Sequence, residues 1–462
     1  MAKSFEMDMT KGSLFKKIVL YALPLLATNL LQLLFNAADV AIVGHATNGV
    51  DTEIAVAAVS STTSLVNLII GLFIGLSVGA NVILARTIGE NDMDKARKIV
   101  STSILISLIV GVALIGICVP LSKTFLQLLN CDEAVLPLAT KYLQIYFAGL
   151  PIILLYNFSS AILRAVGDTK RPLIYLMIAG VMNVGLNALL VFVFKLDVEG
   201  VAIATVVSQG ISVVLAIIAL IKSDGYAKLD LKNLKIYKKE LIEVLQIGIP
   251  SGVQSCVFAI SNVLIQADIN SFGQTAMTAN GVSSQVDGFI YNSMTAIAHT
   301  TSVFVSQNYG AQKHDRIKKT IIYCVICTTL LGIFTAIIAL SLSDPLMTLL
   351  GAKNLETREI AKLRMTILGL SYFTCGIMDV FALGLRGLGK STSSMVISIF
   401  FCCGVRVLWL KTIVANVWHT MAAIYIIYPI TWVLASLTFL VMLIYTYKKM
   451  KIKFAENKKL LK

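Results

Sequence analysis

The chain has 462 residues, 57% hydrophobic and only 14% charged, with 39 Lys and Arg against 25 Asp and Glu for a net charge of +14. That is about half the ~25% charge of a typical soluble protein, too little to cover a soluble surface, and the chain is far too apolar for intrinsic disorder. A bilayer is the solvent that fits; the basic surplus fits nucleic acid or a membrane surface, and its placement decides between them.

In chain order, the first 17 residues are polar and charged, with no cleavable signal peptide expected. Twelve mostly apolar runs follow, each about long enough to cross ~30 Å of hydrocarbon as a helix. They lie near 18–44, 55–84, 99–119, 138–162, 172–194, 198–221, 241–267, 275–305, 320–342, 359–385, 394–416 and 421–446. Their length and lack of alternation exclude barrel strands. Of the 39 basic residues, 30 fall at the two ends and on every second connection, for example Arg86 to Lys98, Lys222 to Lys239 and Lys313 to Lys319. The positive-inside rule then gives an all-α polytopic protein of the cell membrane with twelve spans and both termini cytoplasmic. The +14 is a topology signal, and no nucleic-acid partner is expected. Most of the eight cysteines lie inside apolar runs, where Cys packs as a small hydrophobe. Cys324 and Cys327 have metal-like spacing but no second pair.

The chain also repeats itself. Leu23-Pro24 matches Ile249-Pro250 at an offset of 226; Arg86 to Lys95 matches Gln307 to Arg316 at 221; Leu163-Arg164-Ala-Val-Gly167 matches Leu385-Arg386-Gly-Leu-Gly389 at 222. Residues 1–222 and 241–447 are therefore expected to be two pseudo-symmetric six-helix bundles, joined by a cytoplasmic linker at 223–240 and followed by a basic tail at 448–462. An even number of spans gives both copies one orientation, the arrangement that suits alternating access by rocking of one bundle against the other.

These landmarks carry a family resemblance. Pro24 with Asn36-Ala-Ala-Asp39-Val-Ala-Ile-Val-Gly44-His45 resembles the first helix of MATE (multidrug and toxic compound extrusion) transporters, as do Leu163 to Pro172 and Leu385 to Ser391 in their own spans. The resemblance covers essentially the whole chain. It implies export of cationic, amphipathic compounds in exchange for H⁺ or Na⁺, by a V-shaped pair of six-helix bundles.

Charges in hydrocarbon are expensive, so intramembrane ionisable groups are the first functional candidates. Only Asp39, Asp287 and Asp379 of the 25 carboxylates fall well inside the predicted spans. Counted from the outer helix ends, Asp39, Asn187 and Thr205 share a depth of ~9–12 Å, and Asn183 lies one turn deeper than Asn187 on the same helix face. A carboxylate ringed by amide and hydroxyl oxygens suits a proton or a hard cation, and burial in an apolar bundle favours the protonated acid. The resemblance implies the same four positions as a cation-coupling site. It departs at Asn187, where many family members carry a second Asp; the lower site charge favours H⁺ over Na⁺ at Asp39. The alternative for Asp39 is a helix-packing hydrogen bond.

In the second copy, the region after Pro250 lacks the Glu that some family members carry and offers Gln254, Asn262 and Gln266 instead. Equal depth allows an Asp287–Arg406 ion pair, whereas Asp379 does not match that depth. Asp287 and Asp379 either line the cleft and attract cations or pair structurally. Arg164, Gly167, Arg386 and Gly389 mark inner helix ends. Gly71, Gly75 and Gly79 form a small-residue face suited to helix packing. Pro24 and Pro250 are expected to kink their helices.

The expected function is multidrug efflux by H⁺ or Na⁺ antiport. The alternatives are a lipid-linked oligosaccharide flippase of the same superfamily, which twelve spans and few intramembrane basic residues disfavour, or an intramembrane enzyme. His45, His299, His314 and His419 are scattered, with no H-E-x-x-H motif, nucleophile elbow or Walker A sequence. No enzyme activity, cofactor or resident metal is expected, other than Na⁺ as an alternative coupling ion at Asp39, and a monomer is expected.

Overall fold

A computed structural model describes residues 6–43, 52–129, 131–350 and 354–460. Gly44 and His45 of the first-helix motif, and Lys3 and Lys462 of the basic set, lie outside them. The described chain is helical. Helices α1 (Leu14–Val43), α2 (Thr52–Glu90), α3 (Met93–Leu128), α4 (Leu136–Ala148), α5 (Leu150–Ala165), α6 (Lys170–Ala188) and α7 (Val198–Ile221) occupy the first copy. Helices α8 (Lys238–Asn270), α9 (Gln274–Gly310), α10 (His314–Ser341), α11 (Ser343–Leu349), α12 (Leu355–Gly369), α13 (Tyr372–Gly387), α14 (Ser391–Ile399), α15 (Arg406–Trp409) and α16 (Met421–Leu460) occupy the second. π-Helical turns at Leu189–Val193, Phe400–Val405 and Leu410–Val414 interrupt or extend them.

Among the described residues, nine helices are long and apolar enough to cross a membrane, and eleven spans result when α4–α5 and α12–α13 each count as one. The remaining predicted span, 275–305, is α9, a continuous helix of 37 residues. It fails on composition because it carries many polar side chains, a large share of which are buried against protein. Ser283, Thr300 and Ser306 are buried and donate back to the carbonyls of Ala279, Ala296 and Ser302 at 2.6–2.8 Å. Such i−4 bonds satisfy hydroxyls without water and let a polar helix cross.

Packing divides the chain into two compact units. One comprises the residues before Met9 with Leu30–Gly252, the other Met9–Asn29 with Val253–Lys462. By packing, then, Met9–Asn29 goes with the second unit and the first half of α8 with the first. In the first unit, the small-residue face of α2 lies directly on α8. A Cβ on Gly75 would fall 2.2 Å from the Gly252 backbone, and one on Gly79 would fall 2.2 Å from the Val244 carbonyl.

The irregularities recur at the repeat offset. The α4–α5 span bends by 49° at Gly149 and the α12–α13 span by 44° at Leu370–Ser371. The π-turn at Leu189–Val193 is matched at Leu410–Val414. Left-handed backbone appears at Asn91 (φ 58°) and Gln312 (φ 54°), and again at Gly167 (φ 90°) and Gly389 (φ 81°). At the first pair the chain reverses into a helix; Asp92 then caps α3 by accepting from the Lys95 amide at 2.9 Å. At Gly167 only glycine fits, since a Cβ would meet the Met7 backbone at 2.6 Å.

Candidate cation site and a second cavity

In the first unit, α1, α6 and α7 converge on Asp39. The approach of α1 to α6 is set by Phe35, whose ring occupies the space above Gly180; a Cβ on that glycine would lie 1.9 Å from it. One turn after Phe35 stands Asp39, and two turns after Gly180 stands Asn187. The Asn187 amide donates to Asp39 Oδ1 at 2.6 Å and to Asn183 Oδ1 at 3.2 Å. Asn183 in turn donates to Thr205 Oγ1 at 3.4 Å, and Thr205 donates to the Val201 carbonyl at 2.9 Å. The four residues singled out from depth and helix face, and by the family resemblance, thus form one hydrogen-bonded chain. Asn187 is fully buried, and its Oδ1 has no hydrogen-bond partner among the described residues. An orphan buried acceptor next to a carboxylate has the donor set of a cation site.

Asp39, Asn183 and Thr205 line a cavity of about 280 Å³. Its wall also carries the amides Asn67, Asn157 and Gln209, which attention to ionisable groups alone passes over. Their signal was present in the sequence as amides within apolar spans, which are themselves costly unless bonded or functional.

The second unit differs from expectation. Asp287 is buried and pairs with Arg364, not with Arg406: Arg364 Nη2 lies 2.9 Å and Nε 3.0 Å from Asp287 Oδ2. Arg364 also donates to the carbonyl and side chain of Asn280. Equal depth failed as a guide because depth along a helix says nothing about which way a side chain faces round it. Arg364 stands on α12, close enough to the predicted start of its span to pass for an interfacial residue. Arg406 instead donates from Nε to Thr431 Oγ1 at 2.9 Å and lies over the Tyr428 ring, 4.2 Å from its centroid. The second bundle thus buries more basic side chains than the sequence suggested.

Asp379 and Arg406, judged to differ in depth, line one cavity of about 220 Å³ together with Asn262 and Arg364. Gln254 is not in that wall; it is buried and accepts from Arg386 Nη2 at 2.6 Å. Gln266 accepts from Asn280 at 2.8 Å and donates to Asn270.

An all-helical membrane protein with twelve spans in two bundles, each enclosing a polar cavity, has the build of a solute transporter. The MatE family model matches residues 24–189 and 250–410, and the chain belongs to that family of membrane transporters. It is 28% identical over 405 residues to a probable multidrug resistance protein, YoeA, of Bacillus subtilis, covering 86% of each chain. It is 23% identical over 332 residues to the multidrug export protein MepA of Staphylococcus aureus, covering 70% of this chain and 72% of MepA. In fold it is similar to a MOP superfamily transporter from Pyrococcus furiosus, with a TM-score of 0.90 at 19% identity over 98% of this chain and 99% of the other.

Proposed function

We propose that the protein is a multidrug exporter that expels cationic or amphipathic compounds in exchange for H⁺, with Na⁺ as the alternative coupling ion, by alternating access. The bundles are the sequence copies 1–222 and 241–447, joined by the linker 223–240 and followed by the tail 448–462. The protein works as a monomer in the plasma membrane with both termini cytoplasmic, as the basic connections favour.

The single observation that carries the reading is the pairing of Asp39 with Asn187 beside an unpartnered Asn187 oxygen in a polar cavity. Asp39 is the coupling carboxylate; Asn187 holds it in place, and Asn183 and Thr205 complete the oxygen set. One carboxylate among neutral amides gives a site of charge −1 when ionised and zero when protonated. A proton therefore changes the charge inside the bundle by a full unit, and any conformation that solvates the carboxylate differently responds to it. The relatives' names supply the cargo class: they are multidrug resistance and export proteins.

The test is Asp39→Asn in drug-challenged cells and everted vesicles. Export is expected to be lost while the protein remains folded and membrane-inserted; undiminished export would falsify the assignment. Collapsing the pH gradient at constant Na⁺, and removing Na⁺ at constant pH gradient, identifies the coupling ion. Loss of export only in the first case is the expected result.

A further inference from the structure

The two cavities are built from equivalent positions. Asn36 in the wall of the first corresponds to Asn262 in the second at an offset of 226 and Asn157 to Asp379 at 222, while Arg406 lies one or two residues beyond the counterpart of Asn183. A threonine contact occurs in both units: Asn183 bonds Thr205 in the first and Arg406 bonds Thr431 in the second, each threonine standing on the last helix of its copy. One neutral amide of the first cavity, Asn157, is thus an acid in the second, and the second wall adds a base, Arg406. Asp39 itself has no charged counterpart, since 226 residues on the chain has Ile265.

Arg364 is neutralised by Asp287. Arg386, two turns after Asp379, interacts electrostatically with that carboxylate and also donates from a guanidinium nitrogen to Gln254. Arg406 has no carboxylate partner among the described residues: its contacts are Thr431 and the faces of Tyr428 and Trp432, with centroids at 4.2 and 5.8 Å. It is only 7% exposed, and its Nη2 has no hydrogen-bond partner among the described residues. A buried guanidinium nitrogen with nothing to bond is costly unless something else supplies the acceptor. The π-helical turns Phe400–Val405 and Leu410–Val414 enclose the single α-turn that carries Arg406, the kind of local irregularity that re-aims a side chain at a functional site. Arg406 and Asp379 face the same cavity without pairing.

We propose that this second cavity binds a compact zwitterion, with its carboxylate on Arg406, its ammonium on Asp379 and its apolar body against Tyr428 and Trp432. A planar guanidinium with a free nitrogen matches a carboxylate fork. At about 220 Å³ the space is below the ~300–1,000 Å³ of drug-sized pockets, so the ligand has the size of a single-ring amino acid. That the ligand is cargo rests on the transport reading above; that it binds does not.

The test is isothermal titration of the detergent-purified full chain with three probes on one scaffold: 4-(aminomethyl)benzoate as zwitterion, benzoate as anion and benzylamine as cation. The zwitterion is expected to bind at least tenfold more tightly than either single ion. Arg406→Gln should weaken zwitterion and benzoate at least tenfold and leave benzylamine unchanged, and Asp379→Asn should do the reverse. Arg406→Lys, which keeps the charge but not the fork, should fall between wild type and Arg406→Gln. Zwitterion binding no tighter than benzylamine to the wild-type chain overturns the proposal without any variant having to fold. So does an Arg406→Gln protein that binds the zwitterion as wild type does. In the same preparation Asp39→Asn should retain zwitterion binding; export surviving in Asp39→Asn would overturn the coupling assignment and leave this site standing.

Discussion

The ring of Phe35 fills the position that a side chain on Gly180 would take, so α1 rests on the bare backbone of α6 one turn before Asp39. This contact sets the reach from Asp39 to Asn187. Gly180→Ala must push the ring aside, and overpacking of this kind costs about 1–3 kcal/mol. The variant should show a lowered unfolding temperature in detergent and reduced export, and Phe35→Leu in the same chain should recover both. A Gly180→Ala protein with wild-type stability and export would show that the contact does not position the carboxylate.

The buried Arg364–Asp287 pair should behave as a unit. Arg364→Met leaves Asp287 without its cation in the interior, a loss of about 3–5 kcal/mol. Adding Asp287→Leu removes the stranded charge and should restore most of the stability, giving strong coupling in a double-mutant cycle. Purely additive effects on the unfolding midpoint would contradict the pairing.

Two carboxyls outside the spans predict a pH dependence. Burial holds Glu6 above its ordinary 4.5 and Asp168 above its ordinary 3.8, against the opposing pull of the Arg171 guanidinium. A raised native pKa means that the folded state binds more protons than the unfolded one, so stability falls as pH rises. The contribution is fully present below the unfolded values near ~4 and is lost as pH rises through the folded ones. Glu6→Gln with Asp168→Asn should flatten that slope in unfolding midpoints taken from about pH 4 to about pH 7; an unchanged slope would assign it elsewhere.

Arg316 clamps the segment ahead of α1. Its guanidinium donates to the carbonyls of Met9 and Gly12 at 3.0 and 3.1 Å, while Lys313 Nζ reaches the Thr10 carbonyl at 2.8 Å. Gln307 Oε1 accepts from the Met9 amide at 3.1 Å. Arg316→Ala should speed amide hydrogen exchange at residues 9–12 at least tenfold, with little change in α9. Equal protection in wild type and variant would show that the other bonds suffice.

The twelve spans were legible because a bilayer demands long apolar runs, and α9, read as one of those runs, is the most polar of them. The grouping of Asp39, Asn183, Asn187 and Thr205 was legible because each sits within a few turns of the outer end of its own helix, where depth is a short count from a boundary. The same count misled in the second bundle. It joined Asp287 to Arg406 and separated Asp379 from a cavity it shares with Arg406, because the π-turns and the bend at Leu370–Ser371 change both rise and facing. Arg364 passed unnoticed because an arginine six residues into a span resembles one that snorkels to the interface.

By itself the sequence determined the solvent, the helical class and the scarcity of buried acids, since each follows from the cost of placing polar groups in hydrocarbon, and it determined the duplication through motifs that recur at a nearly constant offset. Only the tertiary structure decided which partner each buried charge has. Rotation about a helix axis and local π-turns set that choice, and a Coulombic contact at 2.9 Å depends on facing as much as on depth. For that reason one carboxylate is matched by an arginine, another by an amide, and Arg406 by no acid at all.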